Sequence, residues 1–374
     1  MKILYFSQSY TVHDYNFLRK MGESQHKIFF LPLNIRNVFE DKRDLPLGIR
    51  KITWQKEKFP DSDYKKYLSA IPSFKDILVE IKPDLIHAGP VQTCGFITAL
   101  SGFHPFLLMS WGSDILLETD RNPSLFRITK YTLGCSDWML VDNGAVRRKV
   151  QSIIPYSDKR FIEFPWGVDI SRFNNLRRAS KIRALTGWDH NIIILSTRMW
   201  EPVYGILDLI EGFYLAYGKN RKLRLILLGD GSLARQVHEI IENNGLSEVI
   251  LMPGVISHDN LPEYFGEADI YLSCSLCDGS SISLLEAMAS GLPSIVTSNP
   301  GNLQWIQDGV NGWLVPLNDP SAVARAIEAV MNEKKSVLER FSRINKKIIS
   351  EKADWNKNFS KLLKLYNDIE GEYV

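Results

Sequence analysis

The sequence predicts an α/β protein of two domains, each a parallel β-sheet flanked by helices. Short apolar runs alternate with amphipathic helical stretches along the chain, which is the pattern of β–α–β units. The 374 residues exceed what one hydrophobic core usually serves, so two domains are expected. The segment Phe164–Asp169, which contains Pro and Gly, divides the apolar runs into two sets of six, as expected at a domain junction.

The strands of both domains are predicted from these apolar runs. Those of the first domain are Ile3–Phe6, Lys27–Leu31, Leu85–Ala88, Phe106–Ser110, Trp138–Val141 and Phe161–Phe164. Those of the second domain are Ile192–Thr197, Leu223–Leu228, Val249–Met252, Ile270–Ser273, Ser294–Thr297 and Gly312–Val315. Large apolar side chains at helical spacing in Trp355–Tyr366 predict an amphipathic helix that packs on a core.

Composition narrows the class of protein. The formal net charge of +2 offers no argument for nucleic-acid binding. No apolar run reaches the ~18 residues of a membrane span, and Met1-Lys2 leads into a strand without a signal-peptide pattern. We therefore expect a cytoplasmic protein. Cys274 and Cys277 have metal-ligand spacing but lack a second pair, so we expect buried thiols and no metal site.

The segment Asp278–Glu286 carries the clearest functional pattern, because it joins a strand end, a glycine turn, a helix start and two carboxylates separated by seven residues. The first N–H groups of a helix are unpaired and carry the positive end of its dipole, so they could hold an anion such as a diphosphate. These groups belong to Ile282, Ser283 and Leu284. Glu286 could bind hydroxyls beside the anion, and Asp278 could do so on the other side. Either acid alone is also an ordinary residue of a helix N-terminus.

This segment and the following Asn299–Gly312 closely resemble the C-terminal signature of glycosyltransferase family 4, E-G-F-G-x-x-x-x-E-A-M-A-x-G-x-P. Asp278 stands in place of the first Glu, and Ser280-Ser281 in place of Phe-Gly. Phe164–Asp169 is similar to the P-N-G-V-D segment of that family, with Trp166 where Asn is usual. The family consists of retaining nucleotide-sugar transferases of GT-B fold.

The resemblance implies two Rossmann-like domains that face each other across a cleft, with a C-terminal helix that crosses back to the first. We accordingly assign residues 1–170, together with the helix 353–374, to an acceptor domain. Residues 171–352 form the donor domain, which binds the nucleotide sugar.

The run Gly229–Ala234 formally matches the dinucleotide fingerprint G-x-G-x-x-A. A dehydrogenase would also need an acid at the end of the next strand to hold a ribose, but that strand ends in Leu251–Gly254. The resemblance instead makes Gly229 and Gly231 a tight loop near the nucleotide. It also assigns backbone contacts with the base to a second loop, at Val255 and Ile256.

Arg198 follows the strand Ile192–Thr197 at the edge where open α/β sheets bind ligands, so it could neutralise a diphosphate. The family has R-x4-K-G here, whereas this chain has one extra residue and Tyr204 in the place of Lys. One of two positive charges is therefore missing. Either the backbone donors carry more of the phosphate charge, with Tyr204 donating a hydrogen bond, or activity is lost. The turn residues that complete the predicted donor site are Gly279, Ser280 and Ser281.

The acceptor side is predicted in the loops that follow the first-domain strands. Ser110–Asp114 is similar to the H-G-x-D loop of the family, with Trp111 where a His is often assigned near the reacting centre. Asp114 is retained. His13 and Asp14 are further candidates in the loop after the first strand.

We predict a retaining transferase that moves a sugar from a nucleoside diphosphate, UDP in preference to GDP, to a hydroxyl of a glycan, glycolipid or lipid-linked acceptor, without a cofactor. Its predicted catalytic residues are Arg198, Asp278 and Asp114. An inactive nucleotide-sugar binder, an epimerase of the same fold and a dehydrogenase are the alternatives. Short basic runs could contact an anionic membrane surface, although such runs are usually solvated faces. They are Arg147–Lys149, Arg177-Arg178 and Lys346-Lys347.

We predict that sugar transfer does not require a metal ion, because the sequence has no His and carboxylate cluster at ligand spacing. Arg198 and backbone N–H groups would meet the diphosphate charge instead. Transfer measured after dialysis against EDTA should equal that of the untreated protein. Complete loss in EDTA with recovery in Mn²⁺ or Mg²⁺ would refute this.

Overall fold

The computed structural model describes residues 1–34, 40–54, 64–174, 176 and 181–373. It divides into two compact units, Met1–Pro165 with Lys357–Val374, and Trp166–Asn356. The predicted limits at residues 170 and 353 differ from these by a few residues. The difference arises because Val168 and Ala353 form a backbone hydrogen bond with each other and both belong to the second unit.

The first unit contains a parallel sheet in the order β3-β2-β1-β4-β5-β6-β7. Its strands are β1 (Lys2–Ser7), β2 (Lys27–Pro32), β3 (Ile49–Lys51), β4 (Leu85–Ala88), β5 (Phe106–Met109), β6 (Trp138–Val141) and β7 (Phe161–Glu163). Its helices up to the junction are α1 (Val12–Gly22), α2 (Tyr64–Ser69), α3 (Ile71–Ile81), α4 (Phe96–Ser101), α5 (Thr119–Arg121), α6 (Pro123–Cys135) and α7 (Gly144–Ile153). All six predicted strands are present.

Strand β3 was not predicted. It has three residues, two of them exposed and charged, so it carries no apolar run that a sequence pattern could show. Its pairing with β2 alone defines it as a strand.

The second unit contains a parallel sheet in the order β10-β9-β8-β11-β12-β13. Its strands are β8 (Ile192–Ser196), β9 (Leu223–Leu228), β10 (Ile250–Gly254), β11 (Ile270–Ser273), β12 (Ser294–Thr297) and β13 (Trp313–Val315). Its helices are α8 (Ile170–Phe173), α9 (Lys181–Thr186), α10 (Ile206–Lys219), α11 (Ala234–Asn243), α12 (Leu261–Glu267), α13 (Ile282–Ser290), α14 (Pro320–Asn332) and α15 (Lys335–Lys352). The six strands predicted here are confirmed.

Both faces of the second sheet are buried. Ile194 of β8 lies in one hydrophobic cluster, whereas its neighbours Ile193 and Leu195 lie in a second cluster. Strands that are covered on both faces read as continuous apolar runs, which is why the sequence pattern located them.

The helix α16 (Trp355–Tyr373) continues the chain into the first unit, where it extends further than the predicted Trp355–Tyr366. Phe359 packs edge-to-face on Phe17, and the Tyr366 hydroxyl lies 2.6 Å from His87 Nδ1. Burial lowers the pKa of His87 to about 3, so this ring is neutral and the contact is a hydrogen bond without net charge. These contacts attach the helix to the core of the first unit.

In each sheet, the direction in which strands are added reverses between two central neighbours, β1 and β4 in the first unit and β8 and β11 in the second. Loops after such strands diverge and leave a crevice at their carboxyl ends, where open α/β sheets bind ligands. In the second unit, these loops begin at Thr197 and Cys274.

Two glycines of α10 give a matched test of helix packing. A Cβ on Gly212 would lie 2.6 Å from Val323 Cβ and 3.0 Å from Pro320 O, because α10 and α14 touch there. A Cβ on Gly218 would have nothing within 4 Å. Gly212→Ala should therefore lower the free energy of unfolding by about 1–3 kcal/mol, whereas Gly218→Ala should raise it by up to about 1 kcal/mol.

The two variants are compared by urea unfolding. A shift of both midpoints in the same direction would contradict the close packing of α10 against α14.

Candidate functional site

An ion pair joins the two loops at the reversal point of the second sheet. Arg198 follows β8 and Asp278 follows β11, and Nη2 of the arginine lies 2.6 Å from Oδ1 of the aspartate. Each side chain is only 9% exposed. The structure thus brings together two residues, 80 positions apart in sequence, that were predicted separately.

Arg198 is held on three further sides. Its Nη1 donates to the hydroxyls of Ser281 and Ser283 at 3.0 and 3.1 Å, and its guanidinium carbon lies 4.1 Å from the centroid of the Tyr204 ring. Burial opposes the charge of Arg198, but the Asp278 carboxylate and the nearby tyrosines raise its pKa above the ordinary value. The group is therefore a fixed cation in a largely water-excluded position.

The N-terminus of α13 lies beside this cation. Ser281 is the N-cap residue, yet its side chain makes no capping hydrogen bond, because its hydroxyl accepts from Arg198 instead. The first N–H groups of the helix, which a capping serine would usually satisfy in part, lack that partner. These groups belong to Ile282, Ser283 and Leu284, as the sequence predicted.

A close backbone approach supports the turn at Gly279 and Ser280. A Cβ on Gly301 would lie 2.3 Å from the carbonyl oxygen of Asp278 and 2.5 Å from that of Gly279, so only glycine fits. Asn299 donates from Nδ2 to Ser275 O at 2.9 Å. This bond holds the segment that contains Asn299 and Gly301 against the loop after β11.

Asp278 has one oxygen in the ion pair and one without a partner. Its Oδ2 is buried and accepts no hydrogen bond from any residue that the structure describes. Buried polar atoms of native proteins are nearly always paired. An atom of this kind next to a fixed cation is therefore suited to accept a hydrogen bond from a ligand.

The predicted glycine loop packs on the segment after Arg198. A Cβ on Gly229 would lie 2.5 Å from Arg198 O, and one on Gly231 would lie 2.5 Å from Trp200 O. Gly229 also has a φ of +103°, which favours glycine. The Glu201 carboxylate accepts hydrogen bonds from Ser232 N at 2.8 Å and from the Ser232 hydroxyl. These bonds join the loop after β9 to the segment after β8.

Glu286 lies one turn into α13 and is 2% exposed. Its Oε1 is 2.8 Å from Nε2 of His258. His258 follows the predicted base-contact residues Val255 and Ile256, of which Val255 is 39% exposed and Ile256 is partly buried. The structure therefore connects the segment that follows Val255 and Ile256 to Glu286 through His258.

Sequence reasoning missed two residues of this site, Tyr271 and His258. The Tyr271 hydroxyl donates to Ser283 Oγ at 2.8 Å from a side chain buried within β11. Its sequence signal is weak, because a buried tyrosine in a strand is usually a core residue. His258 could have been found from its place beside the predicted base-contact loop.

On the acceptor side, the structure joins two of the predicted residues. The rings of His13 and Trp111 meet edge-to-face with centroids 5.2 Å apart. His13 lies in α1, which follows β1 at the reversal point of the first sheet, whereas Trp111 follows β5, one strand beyond β4.

The two predicted acids of the first unit have contacts typical of structural residues. Asp14 completes the capping box of α1 with Thr11 and accepts from Tyr5 at 3.0 Å. Asp114 Oδ1 accepts from the Ser110 hydroxyl at 2.7 Å and from two backbone N–H groups, while Oδ2 accepts from Val91 N. Burial raises the pKa of Asp14 to about 6 and that of Asp114 above its ordinary value. These contacts favour a structural role for Asp114 over the predicted catalytic one.

Three of the five described residues in the basic runs proposed for membrane contact form ion pairs. Arg147 pairs with Asp158 at 2.6 Å, Lys149 with Asp120 at 2.6 Å, and Lys347 with Glu351 at 3.9 Å. Arg177 and Arg178 lie outside the described residues. Over the part of the chain that the structure covers, no helix combines the length and apolar character needed to cross a bilayer, and no three His, Cys, Asp or Glu residues are grouped as metal ligands.

The burial of the Arg198–Asp278 pair predicts that its rupture is costly. Asp278→Asn should lower the free energy of unfolding by about 3 kcal/mol, because a buried cation is left without its counter-charge. Glu239→Gln is the control, since Glu239 forms an exposed pair with Arg235 and its loss should cost less than about 0.5 kcal/mol.

The double variant Asp278→Asn/Arg198→Met, which removes both charges, should regain part of the loss. Chemical denaturation measures all three variants. Equal small losses for Asp278→Asn and Glu239→Gln would contradict the buried pair.

Both units of the chain resemble known proteins. Residues 180–348 match the family profile of glycosyl transferases group 1, and residues 2–143 match that of glycosyl transferase 4-like proteins. The amylovoran biosynthesis glycosyltransferase AmsK of Erwinia amylovora is 33% identical over 137 residues, which are 35% of this chain and 34% of AmsK. The GtfA subunit of the UDP-N-acetylglucosamine–peptide N-acetylglucosaminyltransferase of Streptococcus agalactiae is 32% identical over 157 residues, 39% of this chain and 30% of GtfA.

The chain thus matches about a third of the length of these curated relatives. Among solved structures, Anabaena HepE in complex with UDP-glucose superposes with a TM-score of 0.79 at 16% identity, covering 98% of this chain and all of HepE. That likeness confirms the predicted fold class. With one family profile on each unit and the fold shared over nearly the whole chain, the protein belongs to the GT-B glycosyltransferases of the family 4 type.

Proposed function

We propose that this protein transfers a sugar from a nucleoside diphosphate sugar to an acceptor hydroxyl and retains the configuration of the anomeric carbon. One observation carries the proposal. The fixed Arg198 cation and the first turn of α13, without its side-chain cap, meet beside a carboxylate oxygen of Asp278 that no described residue satisfies. Cation and N–H groups suit a diphosphate, and the carboxylate suits a sugar hydroxyl.

In the proposed mechanism, stabilisation of the leaving diphosphate dominates. Negative charge builds on the phosphate as the glycosidic bond breaks, and donors that are already oriented need no reorganisation. Arg198 and the N–H groups of Ile282, Ser283 and Leu284 would supply them. Asp278 Oδ2 would hold a sugar hydroxyl and place the anomeric carbon.

Tyr204 has a different role from the lysine that the family has at this position. Its ring lies against the guanidinium of Arg198, which restricts that side chain and adds a favourable cation–π contact. Because Asp278 offsets the charge of Arg198, the net positive charge here is small. The backbone donors of α13 therefore carry a larger share of the phosphate charge.

The proposed donor is a UDP-sugar, and the proposed acceptor is a hydroxyl of a glycan, glycolipid or lipid-linked saccharide. HepE was solved in complex with UDP-glucose, and GtfA is named for UDP-N-acetylglucosamine, which supports UDP. AmsK is named for amylovoran biosynthesis, which supports polysaccharide synthesis. We further propose that transfer is independent of metal and occurs in the cytoplasm, with only peripheral membrane contact.

A catalytically inactive nucleotide-sugar binder is the second candidate. The observation that favours it is the neutralisation of Arg198 by Asp278, together with the loss of the lysine at Tyr204. A binder would retain every donor contact and turn over no sugar.

The proposal predicts UDP-sugar turnover that depends on Arg198. A panel of UDP- and GDP-sugars, first ranked by thermal shift, is incubated with saccharide acceptors. Arg198→Met should lower kcat by about 100-fold or more, the usual effect of removing an oriented donor. Arg235→Met is the control, because Arg235 is 87% exposed in the same unit, and it should leave kcat unchanged. Binding of nucleotide sugars without turnover would establish the binder instead.

The same product reports the stereochemistry. Inversion requires a general base within hydrogen-bond reach of the acceptor hydroxyl, and the oxygens of Asp14 and Asp114 are already engaged by donors of the first unit. His13, whose ring packs on Trp111, is the remaining candidate base. Without a committed base we expect retention, with the departing phosphate accepting the proton. Proton NMR of the first product, compared with the anomeric coupling of the donor, measures this, and an inverted product would exclude the retaining mechanism.

A further inference from the structure

Three polar side chains of the second unit form a chain that ends on Glu286. His258, after β10, places Nε2 2.8 Å from Glu286 Oε1. Its other ring nitrogen, Nδ1, lies 2.8 Å from Nη1 of Arg172 in α8. Arg172 also donates from Nη2 to the carbonyl oxygen of His258 at 2.8 Å.

The donor on Nδ1 determines the tautomer of His258. A guanidinium carries only N–H donors, so the contact with Arg172 requires Nδ1 to accept. The ring proton of the neutral imidazole then lies on Nε2 and is donated to Glu286 Oε1. Arg172 thus determines both where the proton of His258 lies and, through its second contact with the backbone, how the ring is oriented.

The result is a carboxylate with one anchored oxygen and one available oxygen. No described residue donates a hydrogen bond to Glu286 Oε2. The side chains of His258 and Glu286 are 11% and 3% exposed, so water competes little for the contact between them. Ordering a glutamate side chain costs conformational entropy, and His258 orders Glu286 before any ligand arrives.

We propose that His258, held by Arg172, is a positioning residue that orients Glu286 toward the ribose hydroxyls of the bound nucleotide. The inference rests on the proposed function, because it needs a nucleotide at this face of α13. His258 follows Ser257 and the predicted base-contact residues Val255 and Ile256 in a single loop. The segment that contacts the base therefore also orients the acid that contacts the ribose, and the two contacts are coupled through His258.

The experiment compares two ligands that differ only in the ribose hydroxyls, UDP and 2′,3′-dideoxyuridine diphosphate. Titration calorimetry gives the affinity of each ligand for the wild type, Glu286→Ala and His258→Ala. His258→Ala should weaken UDP about tenfold, the effect expected of a hydrogen bond to a charged group. It should leave the affinity for the dideoxy ligand unchanged.

A double variant separates positioning from a merely structural role. If His258 acts through Glu286, His258→Ala/Glu286→Ala should bind UDP no more weakly than Glu286→Ala alone. His258→Gln, whose amide nitrogen can reach the place of Nε2, should restore much of the preference for UDP over the dideoxy ligand. His190→Ala is the control, since His190 is exposed in the same unit, and it should change neither affinity.

The outcomes distinguish this inference from the proposed function. A His258→Ala variant that transfers sugar but keeps the wild-type preference for UDP would overturn the positioning role alone. Additive losses in the double variant, or equal losses for both ligands, would also overturn it by showing a structural effect. A wild type that binds no nucleoside diphosphate would overturn both.

Discussion

The donor site depends on the buried ion pair between Arg198 and Asp278. β8 and β11 are neighbours only because the strand order reverses between them, and that adjacency brings the two charges within 2.6 Å. In a largely water-excluded position, neither charge is tolerable without the other. The hydroxyls of Ser281 and Ser283 accept hydrogen bonds from Nη1 of the arginine, and the N-cap Ser281 makes no side-chain hydrogen bond to the first N–H groups of α13.

Glycines allow this arrangement because several loops approach each other at backbone distance. Because Gly229 and Gly231 have no side chain, the segment after β8 packs directly on their backbone. The turn after β11 packs on Gly301 in the same way. A Cβ at any of them would lie within 2.5 Å of a backbone oxygen in the segments that carry Arg198 and Asp278, so the neighbouring backbone would have to move. The fingerprint-like Gly229–Ala234 is explained by this packing, so its likeness to a dinucleotide motif reflects a shared need for a tight turn after a strand.

The two units use their buried acids differently. In the second unit, Asp278 and Glu286 each have one oxygen anchored by a side chain and one oxygen to which no described residue donates. In the first unit, both oxygens of Asp14 and both of Asp114 accept from the protein, and they hold a helix cap and a strand-end loop. A carboxylate whose oxygens are occupied supports structure, whereas one with an available oxygen can bind a ligand.

The twelve predicted strands and the start of α13 followed from the sequence alone, because buried parallel strands and helix starts have local patterns that a single stretch of chain contains. β3 escaped prediction because only its pairing with β2 makes it a strand. The partners of the site residues needed the tertiary structure. Arg198 meets Asp278 across 80 positions, and Arg172 meets His258 across 86. Such contacts depend on which strands become neighbours, and no local periodicity encodes that, so the sequence identified the acids and only the fold decided which of their oxygens other described residues engage.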